Sequence, residues 1–289
     1  MAKRPHLNGA ISILADGLPV FATITPAEPT SAQDMASGPH DAVIFDMEHR
    51  PWDPAALRNS LQYLLSRRQI WSRDDLAPAV TPLVRIPANG GEMNQWLAKQ
   101  VLDAGVYGVV WPHISTVNEA RNAVASCRYP RPSNAERFQP GGVRGFGPAN
   151  AARYWGVDIA EYCERADVWP YAPDGDVLVV IMCEEGLAVR NLPRILSEVP
   201  GIGAVVVGVA DLSMDLGYGG QEHPEVLKAV QHVLDTCTEA GVACGVPGIT
   251  PANVEKRLDQ GFKLLLPNPQ VSAQTVEVGK AWLAENSTM

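Results

Sequence analysis

Short apolar runs recur along the chain, and between them apolar residues return at helical spacing. The runs cover residues 20–23, 41–45, 81–84, 107–111, 177–183, 204–207, 242–246 and 262–266. Each has the length of a strand, and most lack the alternation of a half-solvated sheet, as expected for strands covered on both faces. The intervening segments predict helices at 31–36, 54–66, 92–102, 115–127, 158–166, 187–198, 212–216, 224–240, 251–259 and 271–285. Leu57, Leu61 and Leu64 share a face in one of them; Gly105 is a stop signal after another, and Ser115 an N-cap candidate. Strands alternating with helices through eight repeats predict an α/β chain folded as a (β/α)8 TIM barrel. A doubly wound open sheet is the rival, but no G-x-G-x-x-G follows the first run and eight repeats suit closure. Residues 1–17 predict a tail with a short helix, and 18–289 the barrel with its C-terminal helix. Residues 67–78 read as a charged loop. Residues 128–155, rich in Pro, Gly and Arg, read as a long loop insertion of functional type.

The segment 177–217 organises the rest. Its two apolar runs flank a helical stretch with Leu187, Asn191, Leu192 and Ile195 at helical spacing, which makes a strand–helix–strand unit with parallel strands. Glu184 follows the first run, and Asp211 follows the second just past Gly208-Val209-Ala210. Carboxylates at the same ends of neighbouring parallel strands point into one small volume. They repel unless one holds a proton or a cation lies between them. Oxygen ligands suit a hard divalent ion such as Mg2+ or Mn2+, which takes one or two protein carboxylates and keeps waters that a substrate can replace. The plainer reading is that Glu184 caps a helix and Asp211 starts one.

Other strand ends carry reactive types too. Asp46, Glu48 and His49 follow the second run, Arg85 the third, and His113 the fourth. Barrel enzymes build their sites at this end. A histidine beside two acids reads as an oriented acid/base, set against an ordinary loop histidine. A guanidinium in the mouth is a fork for a carboxylate or an enolate oxygen, set against a structural ion pair. His113 has the weakest case. The backbone N–H groups around Gly208 and Ala210, at a helix start, read as a seat for a substrate carboxylate. Covalent amine catalysis is disfavoured, because among the lysines only Lys263 touches a predicted strand, and near its start. No G-x-S-x-G elbow appears, which leaves metal-assisted chemistry.

Composition narrows the partners. The length of 289 residues fits one barrel with ornaments, and 46% apolar residues supply its core. A net charge of −9 without a Lys/Arg-rich run counts against nucleic acid and anionic membranes as partners. No apolar stretch reaches the ~18 residues of a membrane span. The start of the chain lacks the long apolar core of a secretory leader. Cys127, Cys163, Cys183, Cys237 and Cys244 form no C-x-x-C pair and predict free thiols in a reducing cytoplasm.

Several motifs, in order, resemble those of the HpcH/HpaI aldolase family of class II, metal-dependent 2-oxo-acid aldolases. They are FDMEHRP from Phe45, PLVRIP from Pro82, LDAGVYGVVWPHI from Leu102, EARNAVASCRYP from Glu119, GVRGFG from Gly142, the Glu184 segment, and VGVADLSMDLGY from Val207. The resemblance implies cleavage of a 4-hydroxy-2-oxo acid to pyruvate and an aldehyde through a pyruvate enolate, with oxaloacetate decarboxylation as a side activity. It implies a divalent metal, Mg2+, Mn2+ or Co2+, on Glu184 and Asp211, with Arg85 on the pyruvyl oxygens. His49, next to Asp46, is the implied acid/base. Asp103 matches an acid near a subunit boundary, and Gly208 and Ala210 match positions around the pyruvate carboxylate. A homo-oligomer, hexamer or trimer, is implied as well. The chain departs from the family at Met47, Met182 and Val209. Trp52, Trp111, Phe146, Tyr154 and Trp155 are placed near the mouth, with Trp111 as a substrate contact and a bulky aldehyde as the acceptor; packing of loops on the barrel is the alternative. A citramalyl- or malyl-CoA type lyase is a competing enzyme, drawing on Arg128, Arg131, Arg137, Arg144 and Arg153 for the CoA phosphates. A non-catalytic barrel is the third reading.

Overall fold

The computed structural model describes residues 4–73, 75–88, 93 and 95–286. Its strands are β1 Val20–Pro26, β2 Ala42–Asp46, β3 Thr81–Arg85, β4 Gly108–Trp111, β5 Val168–Trp169, β6 Val177–Cys183, β7 Ala204–Val207, β8 Ala243–Ile249 and β9 Leu264–Pro267. All pair in parallel, in the order β4-β3-β2-β1-β9-β8-β7-β6-β5, and a further β4–β6 pairing closes the ring. Eight strands form the barrel; β5, two residues long, pairs with the first residues of β6. The predicted (β/α)8 barrel is therefore the fold, and the eight predicted runs are its eight strands. β6, buried at every position, shows why its sequence does not alternate: barrel and helix layer cover both faces.

Register decides which side chains reach the barrel interior. Asp46 pairs with Arg85, Arg85 with Val110, and Val110 with Val180, so these four share the inner face. The wall is tight at Gly108, where an added Cβ would lie 2.9 Å from Leu83 Cδ2 and closer still to the Leu178 carbonyl. At the opposite end, where strands begin, the helix Gly9–Ala15 closes the barrel. Its N-cap residue Asn8 donates to the carbonyls of Tyr107 (2.9 Å) and Asp176 (3.1 Å). The fully buried Asp176 carboxylate accepts from Arg165 at 2.9 Å. No helix among the described residues is long and apolar enough to cross a membrane.

Several elements differ from the sequence expectation. Arg67–Arg73 is a helix, not a loop: Arg and Gln are good helix formers, and charge does not prevent helix formation. Ala149–Trp155 is a helix inside the long insertion, ended by Gly156 at φ +74. Thr116, not Ser115, is the N-cap of Val117–Ser126, in a capping box with Glu119. The helix expected from residue 92 is described as Gln95–Ala104; Glu92 lies outside the described residues.

The insertion is organised around two buried guanidinium groups. Arg128 binds Asp167 at 2.6 Å, donates to the carbonyls of Pro140 and Arg137, both at 2.7 Å, and lies over the Tyr171 ring. Burial alone would raise the Asp167 carboxyl; Arg128, the Val168 N–H and Arg131 outweigh it and hold the carboxyl below its ordinary range. Arg144 pairs with Asp103 at 2.9 Å, donates to the Tyr162 hydroxyl at 2.7 Å and lies over the Tyr129 ring. Buried charges of this kind tolerate no loss of a partner. Arg128→Ala is expected to destabilise the protein by about 3 kcal/mol in equilibrium urea unfolding, since it leaves the buried Asp167 with Arg131 alone as a cationic partner and frees the Pro140 and Arg137 carbonyls. An unchanged midpoint would show that the insertion contributes nothing to the fold.

Candidate active site

The mouth of the barrel is built from adjacent strand ends. Asp46 closes β2 and Arg85 closes β3, and register sets them side by side. Arg85 Nε donates to Asp46 Oδ1 at 2.9 Å, and its Nη1 lies 3.1 Å from Glu48 Oε2. Asp46 Oδ1 also accepts the backbone N–H groups of Glu48 (3.2 Å) and His49 (3.5 Å). Burial would raise Asp46, but Arg85 and these two N–H groups overcome it, and its carboxyl is held below the ordinary range. Glu48 goes the other way. Burial raises it more than Arg85, His49 and His113 lower it, and Asp46 adds repulsion.

Glu184 follows β6, and its side chain is 3% exposed. It does not cap the helix after it. The first N–H of that helix, Gly186–Glu198, goes to Asp215 Oδ2 at 2.7 Å. Glu184 Oε2 instead accepts the backbone N–H of His113 at 2.9 Å, across from the β4 end. Its Oε1 lies so close to Gly208 that a Cβ there would overlap it. Burial raises the Glu184 carboxyl, and the nearby charges of Glu48 and Asp211 raise it further; His113 opposes them without prevailing. Asp211 is exposed, in the first turn of the helix Val209–Asp215, near enough to act on Glu184 through charge.

Those facts test the sequence assignments one by one. Asp46, Arg85, Glu184 and Asp211 converge on the mouth. Asp46 serves as a clamp on Arg85; the His49 imidazole is 67% exposed and lies 3.6 Å from Glu48 Oε2. The Gly208 N–H donates to the Cys183 carbonyl at 3.1 Å, so it is not open to a substrate carboxylate; the glycine is needed for the approach of Glu184. Ala210 lies in the first helical turn, where N–H groups have no intrahelical acceptor.

Two assigned residues, Trp111 and Asp103, lie away from the mouth of their own barrel. Trp111 pairs with Ile181, one position beyond the inward Val110, so it faces the helix layer. It is fully buried, with its indole against Cys127. Asp103 sits near the end of Gln95–Ala104, which runs back toward the start of the strands, and its partner is Arg144. Tyr154 and Trp155, also expected at the mouth, pack elsewhere, and Trp52, in the loop after β2, packs on the start of the helix after β3. Trp155 stacks on Tyr107 at 4.3 Å, Tyr154 lies beside the same ring, and Trp52 meets Trp96 edge-on. The insertion arginines offer no phosphate seat at Arg128 and Arg144, which are 1% exposed.

Glu48, His113 and Glu185 take a larger part than their sequence positions suggested. The Glu48-His49 pair after a strand was a signal for Glu48. Nothing but strand-end position marked His113, and nothing marked Glu185. Beside Asp46 opens a cavity of about 270 Å³ whose lining includes Thr25, Arg50, Pro247 and Asn268. Among the described residues, no group of three or more His, Cys, Asp and Glu side chains is arranged to hold a metal ion. Glu184 and Asp211, the pair expected from the sequence, offer carboxylate oxygens, the donor type that suits an ion such as Mg2+.

Comparison with known proteins agrees with this architecture. The profile of the HpcH/HpaI aldolase/citrate lyase family matches residues 23–265. A 4-hydroxy-2-oxo-heptane-1,7-dioate aldolase of Shigella sonnei is 34% identical over 224 residues, 77% of this chain and 72% of its own. A 4-hydroxy-2-oxovalerate aldolase of Rhodococcus jostii is 34% identical over 222 residues, 76% of this chain and 72% of its own. The crystal structure of a family protein from Burkholderia cenocepacia matches with a TM-score of 0.74 at 27% identity, over 96% of this chain and 98% of that one. The chain belongs to the HpcH/HpaI aldolase/citrate lyase family.

Proposed function

We propose that this protein is a class II pyruvate aldolase that cleaves a 4-hydroxy-2-oxo acid reversibly to pyruvate and an aldehyde. The observation that carries the reading is the clamped Arg85 at the end of β3 and the buried Glu184 at the end of β6, two ends of one mouth with β4 between them. Family membership and the two aldolase relatives support it.

Glu184 and Asp211 would hold a divalent cation, Mg2+, Mn2+ or Co2+. When bound, it supplies Lewis-acid polarisation of the substrate's 2-oxo group. The residues do the rest. Arg85 spends one N–H on Asp46 and one on Glu48, which leaves the remainder of its five N–H bonds for the pyruvyl oxygens. Asp46 and Glu48 keep that fork from rotating, so its charge is in place as the enolate oxygen becomes negative. His49, exposed at the rim and next to Glu48, takes the proton of the C4 hydroxyl. The C3–C4 bond then breaks, its electron pair forms the enolate, and the aldehyde leaves. Protonation at C3 yields pyruvate. First-turn N–H groups at Val209 and Ala210 face the substrate carboxylate. Asp103, at the far end of its own barrel, is assigned to the site of a neighbouring copy in a homo-oligomer.

Pyruvate release from a racemic 4-hydroxy-2-oxo acid is expected to vanish with EDTA and return with Mg2+, Mn2+ or Co2+. Arg85→Ala is expected to lower kcat about 10²–10³-fold, as loss of a preorganised donor does. Release that ignored EDTA would remove the cation from the reading. Cleavage of a CoA thioester in place of the free acid would move the protein to the lyase branch.

A second expectation concerns stability. Glu184 is raised by burial first and by Glu48 and Asp211 next, so in the folded state it holds its proton to higher pH than in the unfolded chain. Its ionisation therefore costs stability as pH rises through that window, and the cost is complete above it. Glu184→Gln, which keeps an acceptor for the His113 N–H, is expected to raise the Tm of the cation-free protein at neutral pH. The gain should shrink as pH falls toward the unfolded carboxyl value of ~4.3. A Tm unchanged or lowered at neutral pH would contradict this sign.

A further inference from the structure

The loop after β4 is held more firmly than a connection requires. His113 sits at φ +53, a left-handed conformation that a residue with a full side chain keeps only where its surroundings enforce it. Here they do. His113 Nδ1 lies 3.2 Å from Glu185 Oε1. A carboxylate only accepts, so Nδ1 carries the proton in this contact. The other Glu185 oxygen accepts the Ser115 hydroxyl at 2.6 Å. Ser115 is fixed on both sides of its own backbone. Its N–H donates to Glu119 Oε2 at 2.9 Å, and its carbonyl accepts from Asn191 Nδ2 at 2.8 Å. Glu185 is free for this duty because, although it is the N-cap residue of Gly186–Glu198, its side chain makes no cap bond. Asp215 takes that place.

The outcome of the chain is the aim of a single donor. The His113 backbone N–H meets Glu184 Oε2 at 2.9 Å, while Gly208 leaves room for Oε1 on the other side. Bonded at Oε2 and given space at Oε1, the Glu184 carboxylate takes this orientation although burial and two acidic neighbours disfavour its charge.

We propose that Ser115, Glu185 and His113 form a positioning chain for Glu184, in which the left-handed backbone of His113 sets the orientation that Glu184 presents to a divalent cation. This rests on the cation reading of Glu184 and Asp211. The His113 backbone carries the hydrogen bond, its imidazole Nε2 stands 3.8 Å from the same Glu184 oxygen, and Glu185 holds the ring and with it the backbone.

The test is Mn2+ binding to the full-length, substrate-free protein, measured by titration calorimetry and by the Mn2+ EPR signal, with circular dichroism to verify folding. His113→Ala and Glu185→Ala are each expected to weaken Mn2+ binding by about 10–100-fold, the range seen when outer partners of metal ligands are removed. His113→Gly reaches a positive φ without strain and keeps the N–H but loses the bond to Glu185, so its Mn2+ affinity is expected to fall between those of wild type and His113→Ala. Wild-type affinity in both alanine variants overturns the positioning chain and leaves the cation reading standing. A loss in His113→Gly equal to that in His113→Ala also overturns it, because the backbone would then not be the acting group. No Mn2+ binding by the unmodified protein overturns the cation reading and the positioning chain together.

Discussion

The mouth of this barrel depends on one guanidinium set among more carboxylates than it can neutralise. Arg85 binds Asp46 and Glu48 directly, and only Asp46 is drawn below its ordinary range. Glu48 and Glu184 are pushed up, first by burial and then by their acidic neighbours. This surplus is not neutralised by a second buried arginine among the described residues of the mouth. Leaving it unneutralised keeps a dense negative pocket whose natural complement is a small, hard cation. The same arrangement holds Arg85 rigid, because each of its anchored edges has its own carboxylate. In the proposed reaction, that places its charge before the enolate oxygen forms.

Elsewhere among the described residues, buried guanidinium groups each have a carboxylate partner. Arg128 with Asp167, Arg144 with Asp103 and Arg165 with Asp176 each bury a charge against its opposite, and none lies at the mouth. The long insertion, which on its arginines read as a ligand-binding loop, is largely a folded appendage built on two of these pairs. Its aromatics follow the same logic. Trp155 and Tyr107 stack, and the indole N–H of Trp155 donates to the Gly105 carbonyl at 2.8 Å. They fasten a helix to the barrel.

Much of this was legible in the chain. Eight unalternating apolar runs separated by helical patterns carry the closed barrel, since only strands covered on both faces read that way. Local patterns also place Asp46, Arg85, Glu184 and Asp211 at strand ends, because strand ends are set by where apolar runs stop. Those patterns cannot tell which way a side chain points at the last residue of a strand. Trp111 and Arg85 both end strands, yet a shift of one position in register sends one into the helix layer and the other into the mouth. Nor do they distinguish a buried arginine from one awaiting a ligand, as Arg128 and Arg144 show.

What the amino-acid sequence determined alone is therefore the repeat, the fold and the set of acids and one arginine at the strand ends. Those follow from local hydrophobic period and from residue chemistry. Tertiary structure decided the pairings: Asp46 clamping Arg85 instead of His49, Gly208 yielding space to Glu184 instead of an N–H to substrate, and His113 turned left-handed to reach a carboxylate on the next barrel strand. Each joins residues distant in the chain, and distances of about 3 Å between such residues exist only once closure has fixed the register of neighbouring strands. Asp103 marks the same boundary, since its position along the chain says nothing about the end of the barrel it occupies.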